Sequence, residues 1–569
     1  MSEYLLPIRT ANMKWDKAFK TVDPPKINFL TNGLTEAQVQ CFSGYRDIHI
    51  SNPGWENLPM YPKGKEAWLD HSLRWNSQST PVQKGVCEII VTDSQGTQTT
   101  IPAFCKITHL LDPVKWIKGK YNNLAGGSPE NQTAFEEYSK KIKDPMNQGY
   151  VEALTYFCCS RLRENDVSPH FPTFYGSFCA EAGQYKFNIS DDFDQYRNMK
   201  WFWEGYDSKK FLLTIENAEH ETESEKAEWT RRPSILEDDD SDLSTESSET
   251  SDKDDDESLP ATANDDKASM HSADNLSFHT GTRSSDENED SEYTEPSFFL
   301  TVQNFPVILM YLEKNDGVMD DLLNRSDLHE RQPGSFEWHT LWSAWLFQII
   351  AALCVAQHTL SLTHNDLHSN NIVYTNTNDE FLYYQKRDGT TWKVPTYGKI
   401  FRIIDFGRAI FRLKNKTIFS DDFREGNDAA TQYNFGQLRD ISRGGELGPN
   451  PSFDLARLAV SMFESLFPDE PPKRKAGKIL SQEEGLTVRE TESDLFNVMW
   501  SWMVTDFGEN ILINAEGEEK YPDFDLYNVI AEQCHQAVPS EQVDKKPFSH
   551  FKIAKGDIPQ GQKVYGLFF

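Results

Sequence analysis

Residues 362–373 read LTHNDLHSNNIV. His364, Asp366, His368, Asn370 and Asn371 fall within eight positions of one another. A solvated loop has no use for Leu367, Ile372 and Val373, and a core strand does not tolerate so many polar groups. The stretch reads as a loop pinned to a core, with its polar side chains left available for chemistry.

Working outward, the run just before it, residues 341–356 (LWSAWLFQIIAALCVA), is the most apolar in the chain. Ser343 and Gln348 interrupt it and it is too short to span a bilayer, so it predicts a buried helix over roughly 337–360. After the loop come Tyr383 and Tyr384, a basic turn at 386–389, and a strand at 399–404 that runs into Asp405-Phe406-Gly407. Upstream, residues 86–91 and 99–107 read as two strands around a turn at 93–96, a hairpin. Residues 147–163 place Tyr150, Leu154, Phe157, Cys158 and Leu162 at helical spacing. Strands follow at 173–178 and 307–311, and a helix starts at 318–323. Residues 453–467 form an amphipathic helix closed by Pro468. Strands, a helix, strands and then mostly helices predict an α+β, two-lobed layout.

The net charge of -32 argues against a general nucleic-acid binder. The excess is uneven: residues 237–292 hold 20 acidic side chains against 3 basic ones. Residues 216–296 are dominated by Ser, Asp, Glu and Thr. Such a segment buries too little apolar surface to offset its ordering entropy, so it is expected to be a disordered acidic insertion, with a basic surface as a possible partner. The eight Cys are scattered without a CxxC pair, which suits a reducing compartment and gives no zinc pattern. The first residues lack the apolar core of a signal peptide, and the expected location is intracellular, with no membrane.

His364-Asn365-Asp366-Leu367-His368-Ser369-Asn370-Asn371 resembles the catalytic loop of protein kinases, H-R-D-L-x-x-x-N. Residues 403–407 (IIDFG) resemble the strand and D-F-G that follow it. Residues 103–106 (AFCK) resemble the strand end that carries the nucleotide-binding Lys. The resemblance covers roughly 80–540. It implies a kinase-like fold with a small antiparallel N-lobe and a mainly helical C-lobe, using ATP and Mg²⁺. In that reading Asp366 accepts the substrate's hydroxyl proton, and Asp405 and Asn371 hold the metal. Lys106 pairs with the phosphates and with Glu152, the one acid of helix 147–163, and Phe406 and Gly407 complete the nucleotide site. His368 is similar to the residue found there in haspin-type kinases and in aminoglycoside and choline phosphotransferases. Residues 106–113, 119–121 and 395–400 further resemble the kinase-like proteins of giant DNA viruses, which implies a host-cell or virion location.

The pattern departs from the family in named places. No G-x-G-x-x-G precedes Lys106; Gly85 alone stands before the first strand. Phe104 replaces a small Ala and shares a strand face with Lys106. Asn365 replaces the Arg of H-R-D, so clamping of a phosphorylated loop is not expected. No A-P-E follows; Glu446 is the expected substitute, and Asp454 the expected anchor of the catalytic loop. A second D-F-G, 506–508, is read as a helix-end coincidence. The expected organisation is an extension (1–79), N-lobe (80–215), insertion (216–296), last N-lobe strand and hinge (297–314), C-lobe (315–540) and tail (541–569). The expected activity is phosphoryl transfer from ATP to a Ser or Thr of a protein substrate. The alternatives are a pseudokinase acting as a scaffold and a small-molecule phosphotransferase.

Overall fold

Seven strands form the main sheet: β1 (Tyr45–His49), β2 (Arg74–Gln78), β3 (Val86–Thr92), β4 (Gln98–His109), β5 (Phe174–Asn188), β6 (Phe211–Glu216) and β7 (Ser297–Glu313). In this computed structural model their order is β1-β5-β7-β4-β3-β2, with β6 also on β7, and all pairings are antiparallel. The structure describes residues 40–49, 72–217, 222–234, 296–323, 334–413, 416–424, 448–521 and 525–568, with short pieces at 19–21, 55, 67–69, 236, 427 and 429. The acidic tract from 237 to 295 and Glu446 lie outside the described residues.

Strand β7 shows how the sheet is used. Its first half alternates buried and half-buried side chains, as a strand with one wet face must; from Phe305 to Leu312 every residue is buried. Val307, Leu309 and Tyr311 enter one hydrophobic cluster, and Ile308, Met310 and Leu312 enter another. The same period of two operates on β4, where Ala103 and Cys105 face the first cluster. Phe104, Lys106 and Thr108 therefore project from the opposite face.

That opposite face is covered by helix α1 (Gln148–Glu164), whose residues are buried almost throughout. Asn147 caps its start, accepting from the Gly149 N–H. The apolar run of the sequence is helix α2 (Phe336–Leu360), capped by Ser335 and ended by Ser361 in a left-handed conformation. By length and composition α2 could cross a membrane, which the apolar run 341–356 judged alone could not. However, 89% of its most apolar window is buried inside the protein. A helix apolar on every side is a core helix when other elements surround it. Against it pack the strand Lys399–Ile403, the short helices Pro539–Gln542 and Lys546–Ser549, and a hairpin at Phe381–Gln385 and Thr391–Pro395; α3 (Phe453–Leu466), packed on α4 (Asp494–Trp502) and α5 (Asp525–Gln533), extends the same core.

Three expected boundaries are corrected. The N-terminal extension supplies β1 and β2 to the sheet. The insertion was expected to begin at 216, but β6 runs to Glu216 and a helix covers Glu223–Trp229, where Trp229 meets Phe298 edge-on. The segment 541–569 is no tail: Lys552–Ile553 and Val564–Gly566 add strands to the 381–395 hairpin, and Leu567 is buried. Short strands of this kind carry little period of their own, and their pairing is decided by the edge they meet.

Candidate active site

Lys106 and Glu152 meet because β4 and α1 pack face to face. Lys106 Nζ lies 2.6 Å from Glu152 Oε1 and 2.7 Å from Asp405 Oδ1. Thr108, two residues along the same face of β4, donates to Glu152 Oε2 at 3.2 Å. Lys106 is 7% exposed and Glu152 is fully buried. One cation thus faces two carboxylates away from bulk water, where Coulomb attraction is strongest. Burial pulls the Lys106 ammonium down, but Asp405 and Glu152 beside it hold it well above its usual range. Burial pushes Asp405 up, and Lys106 brings it below the usual carboxylate range. Burial prevails at Glu152, which is pushed up to about 7 despite Lys106.

Helix α1 reaches the site with more than its acid. Tyr156, one turn after Glu152, accepts the Asp405 N–H at 2.8 Å and supports Asp405 in a left-handed conformation (φ 65°). Its ring also meets Phe406 edge-on at 5.0 Å. One turn before Glu152, the Gln148 amide lies where a side chain at Gly407 would start, 3.1 Å from an added Cβ. Gln148, Glu152 and Tyr156 form a polar stripe at four-residue spacing, each touching one part of 405–407 or its partner Lys106. Two of the three were missed from sequence, although the spacing was visible there.

The loop that opened the sequence reading is tied down from below. Asp454, fully buried in the first turn of α3, accepts from the His364 N–H at 2.9 Å and the Asn365 N–H at 3.0 Å, as expected of an anchor. An acidic side chain is also favoured at a helix N-terminus. His364 Nε2 donates to the Ile404 carbonyl at 2.7 Å, which leaves Nδ1 to accept from the Asp366 N–H at 3.2 Å. Asn365, where an Arg was expected from the resemblance, donates to the Arg408 carbonyl at 2.9 Å.

Asn371 and Asp405 leave the same end of an antiparallel pair, Ile372–Asn376 against Lys399–Ile403, with the Ile404 N–H donating to the Asn371 carbonyl at 3.0 Å. Asn371 Nδ2 donates to the Asp366 carbonyl at 2.9 Å and lies 3.1 Å from His368 Nε2, which leaves Oδ1 as its other amide atom. Asp366 Oδ1 accepts from the Tyr527 hydroxyl of α5 at 2.9 Å. Burial pushes the Asp366 carboxyl up, but Arg408, His368 and Arg457 bring it down to about 2. Tyr527, Arg408 and Arg457 were not assigned roles from sequence, and Tyr527 lies 161 residues from its partner.

Comparison with protein-family models and with curated proteins returns no match.

Among the described residues no cluster of three or more His, Cys, Asp or Glu could hold a metal. Mg²⁺ needs no such cluster: it takes hard oxygens, keeps waters and shares a phosphate ligand, so Asp405 and the Asn371 amide oxygen suit it. Beyond Lys106 lies a cavity of about 20 Å³ lined by Val86, Phe104, Pro172, Leu312, Glu313, Lys314, Asn315, Val373 and Ile404. A water needs roughly 10–15 Å³, so this space does not fit a purine. The second D-F-G is remote from all of this. Phe507 is 79% exposed and Asp506 pairs with His535 at a turn after α4.

Proposed function

We propose that the chain is a phosphotransferase of the protein-kinase type, with the curled sheet and the helical part acting as two lobes around a cleft. The observation that carries the reading is Lys106 held between Glu152 and Asp405. A buried cation with two carboxylates is a poor way to gain stability, and perturbed ionisable groups gather where charge must be handled. In this reading Lys106 meets the phosphates, Asp405 and Asn371 hold Mg²⁺, and the metal supplies charge neutralisation. Asp366 orients the acceptor hydroxyl and takes its proton. A carboxyl brought down to about 2 is a weak base. This suits phosphoryl transfer through a loose transition state, which asks for positioning more than for proton abstraction. A protein Ser or Thr is the proposed acceptor. The likeness to giant-virus kinase-like proteins is part of the same proposal.

The test is the melting temperature with ATP, with and without Mg²⁺, for the parent and Asp405→Asn. A ligand that binds only the folded state raises it by mass action. A Mg²⁺-dependent rise that Asp405→Asn abolishes is expected. No rise in the parent at millimolar ATP would remove the reading. Transfer of the terminal phosphoryl to a protein mixture, lost in Asp366→Asn, would extend it to catalysis. A second reading, a kinase-like fold kept as a binding module, is favoured by the nearly closed cavity beside Phe104.

A further inference from the structure

Three separate features limit what the apolar end of the site can hold. The first is Phe104. Its ring lies against Gly85, so closely that a Cβ added there would fall 2.3 Å from ring carbon Cε2. Gly85 has φ 78°, and its carbonyl accepts the Cys105 N–H at 2.7 Å. The strand and the ring are thereby fixed against each other. The second is the opposite wall, Val373 and Ile404, which leaves about 20 Å³ between.

The third is the chain edge that would have to read a base. Leu312 is in register with Phe104 on one side and Phe174 on the other. The Glu313 N–H donates to the Thr173 carbonyl at 2.9 Å, and the Glu313 carbonyl accepts from Asn315 Nδ2 at 3.1 Å. Asn315 Oδ1 in turn accepts from Arg402 at 3.0 Å, and the Glu313 carboxylate is held by Arg163. At Glu313 and at the Asn315 side chain, the groups nearest the cavity that could read a base are bonded within the protein. A site without such hydrogen bonds cannot select strongly among related ligands. At the other end of the cleft, Lys106, Asp405 and Asn371 are in place.

Resting on the phosphotransferase reading, we propose that the cleft takes its ligand by the polyphosphate and metal alone, without selecting the base. Metal-bound nucleoside triphosphates and inorganic tripolyphosphate are its ligand class. The base stays outside this small cavity, and Phe104 is the residue that keeps it there.

Calorimetric titration of the full chain with Mg²⁺ and ATP, GTP or inorganic tripolyphosphate, and with adenosine alone, tests this. The three phosphates should bind within about threefold of one another, and adenosine should give no heat and no competition. Phe104→Ala, checked for a cooperative melt, should create a preference for ATP over tripolyphosphate. ATP binding tenfold or more tightly than tripolyphosphate in the parent, or competition by adenosine, would overturn the proposal while leaving the phosphotransferase reading intact. A folded Phe104→Ala that stays indifferent would also overturn it. Absence of binding by all three phosphates in the parent would bring down the phosphotransferase reading itself.

Discussion

The two ends of the candidate site are built on opposite principles. At one end the Lys106 ammonium meets the Glu152 and Asp405 carboxyl groups within 2.7 Å, with only Asp405 partly exposed. At the other, Phe104, Val373, Leu312 and Ile404 close on almost nothing. Apolar packing is tolerant: any side chains of suitable volume fill a gap and gain stability. A buried charge cluster is demanding, because desolvation must be offset by geometry that β4, α1 and the 399–405 strand end supply together. Packing accounts for the stability of the apolar end, whereas the polar end holds charges that packing does not ask for, and that difference marks it as the candidate site.

The comparison breaks most visibly through Lys106. Lys106→Ala leaves buried Glu152 and part-buried Asp405 without their cation and should cost roughly 3 kcal/mol in urea unfolding. Phe104→Leu at the other end should cost about 1 kcal/mol. Equal costs would mean that the charges are better solvated than their burial implies.

The next effect is in pH. Glu152 titrates near 4.5 when unfolded and is pushed up to about 7 by burial in the folded chain. Between those values the folded state holds a proton that the unfolded state has released. The associated stability is full below about 4.5, falls as pH rises, and is lost by about 7. Through linkage this amounts to at most about 3 kcal/mol. The difference in unfolding free energy between the parent and Glu152→Gln should show that slope, and a flat difference would place an ionised Glu152 in the cluster throughout. The smallest effect is at Tyr527. Tyr527→Phe removes one hydrogen bond to Asp366 and should cost about 1 kcal/mol, with Asp366 titrating higher than in the parent by NMR. An unmoved Asp366 would leave its neighbouring cations, Arg408, His368 and Arg457, as what holds it down.

Much of the site could be read before folding was considered. Lys106, Asp366, Asn371 and Asp405 stand in the short motifs that carry the resemblance, and Glu152 is the one acid of residues 147–163. Gln148 and Tyr156 were legible in principle, as neighbours of Glu152 at a period of four. Tyr527, Arg408 and Arg457 were not, because nothing in their own segments marks them; they matter only through the side chain they approach. The strands at 45–49 and 564–566 were missed for a related reason. Each is too short to carry a pattern, and each exists because an unpaired edge of β5 or of the 381–385 strand accepts it.

Local spacing by itself determined the alternation of β4 and β7, the helices at 148–164 and 336–360, and the pairing of a polar loop with a strand that ends in Asp405. These depend on interactions between near neighbours, which the order of residues specifies directly. Only the tertiary structure decided that Glu152 faces Lys106, that Tyr527 reaches Asp366, and that little space is left beside Phe104. Those outcomes depend on how faces of separate elements meet, and the packing of the whole core sets that.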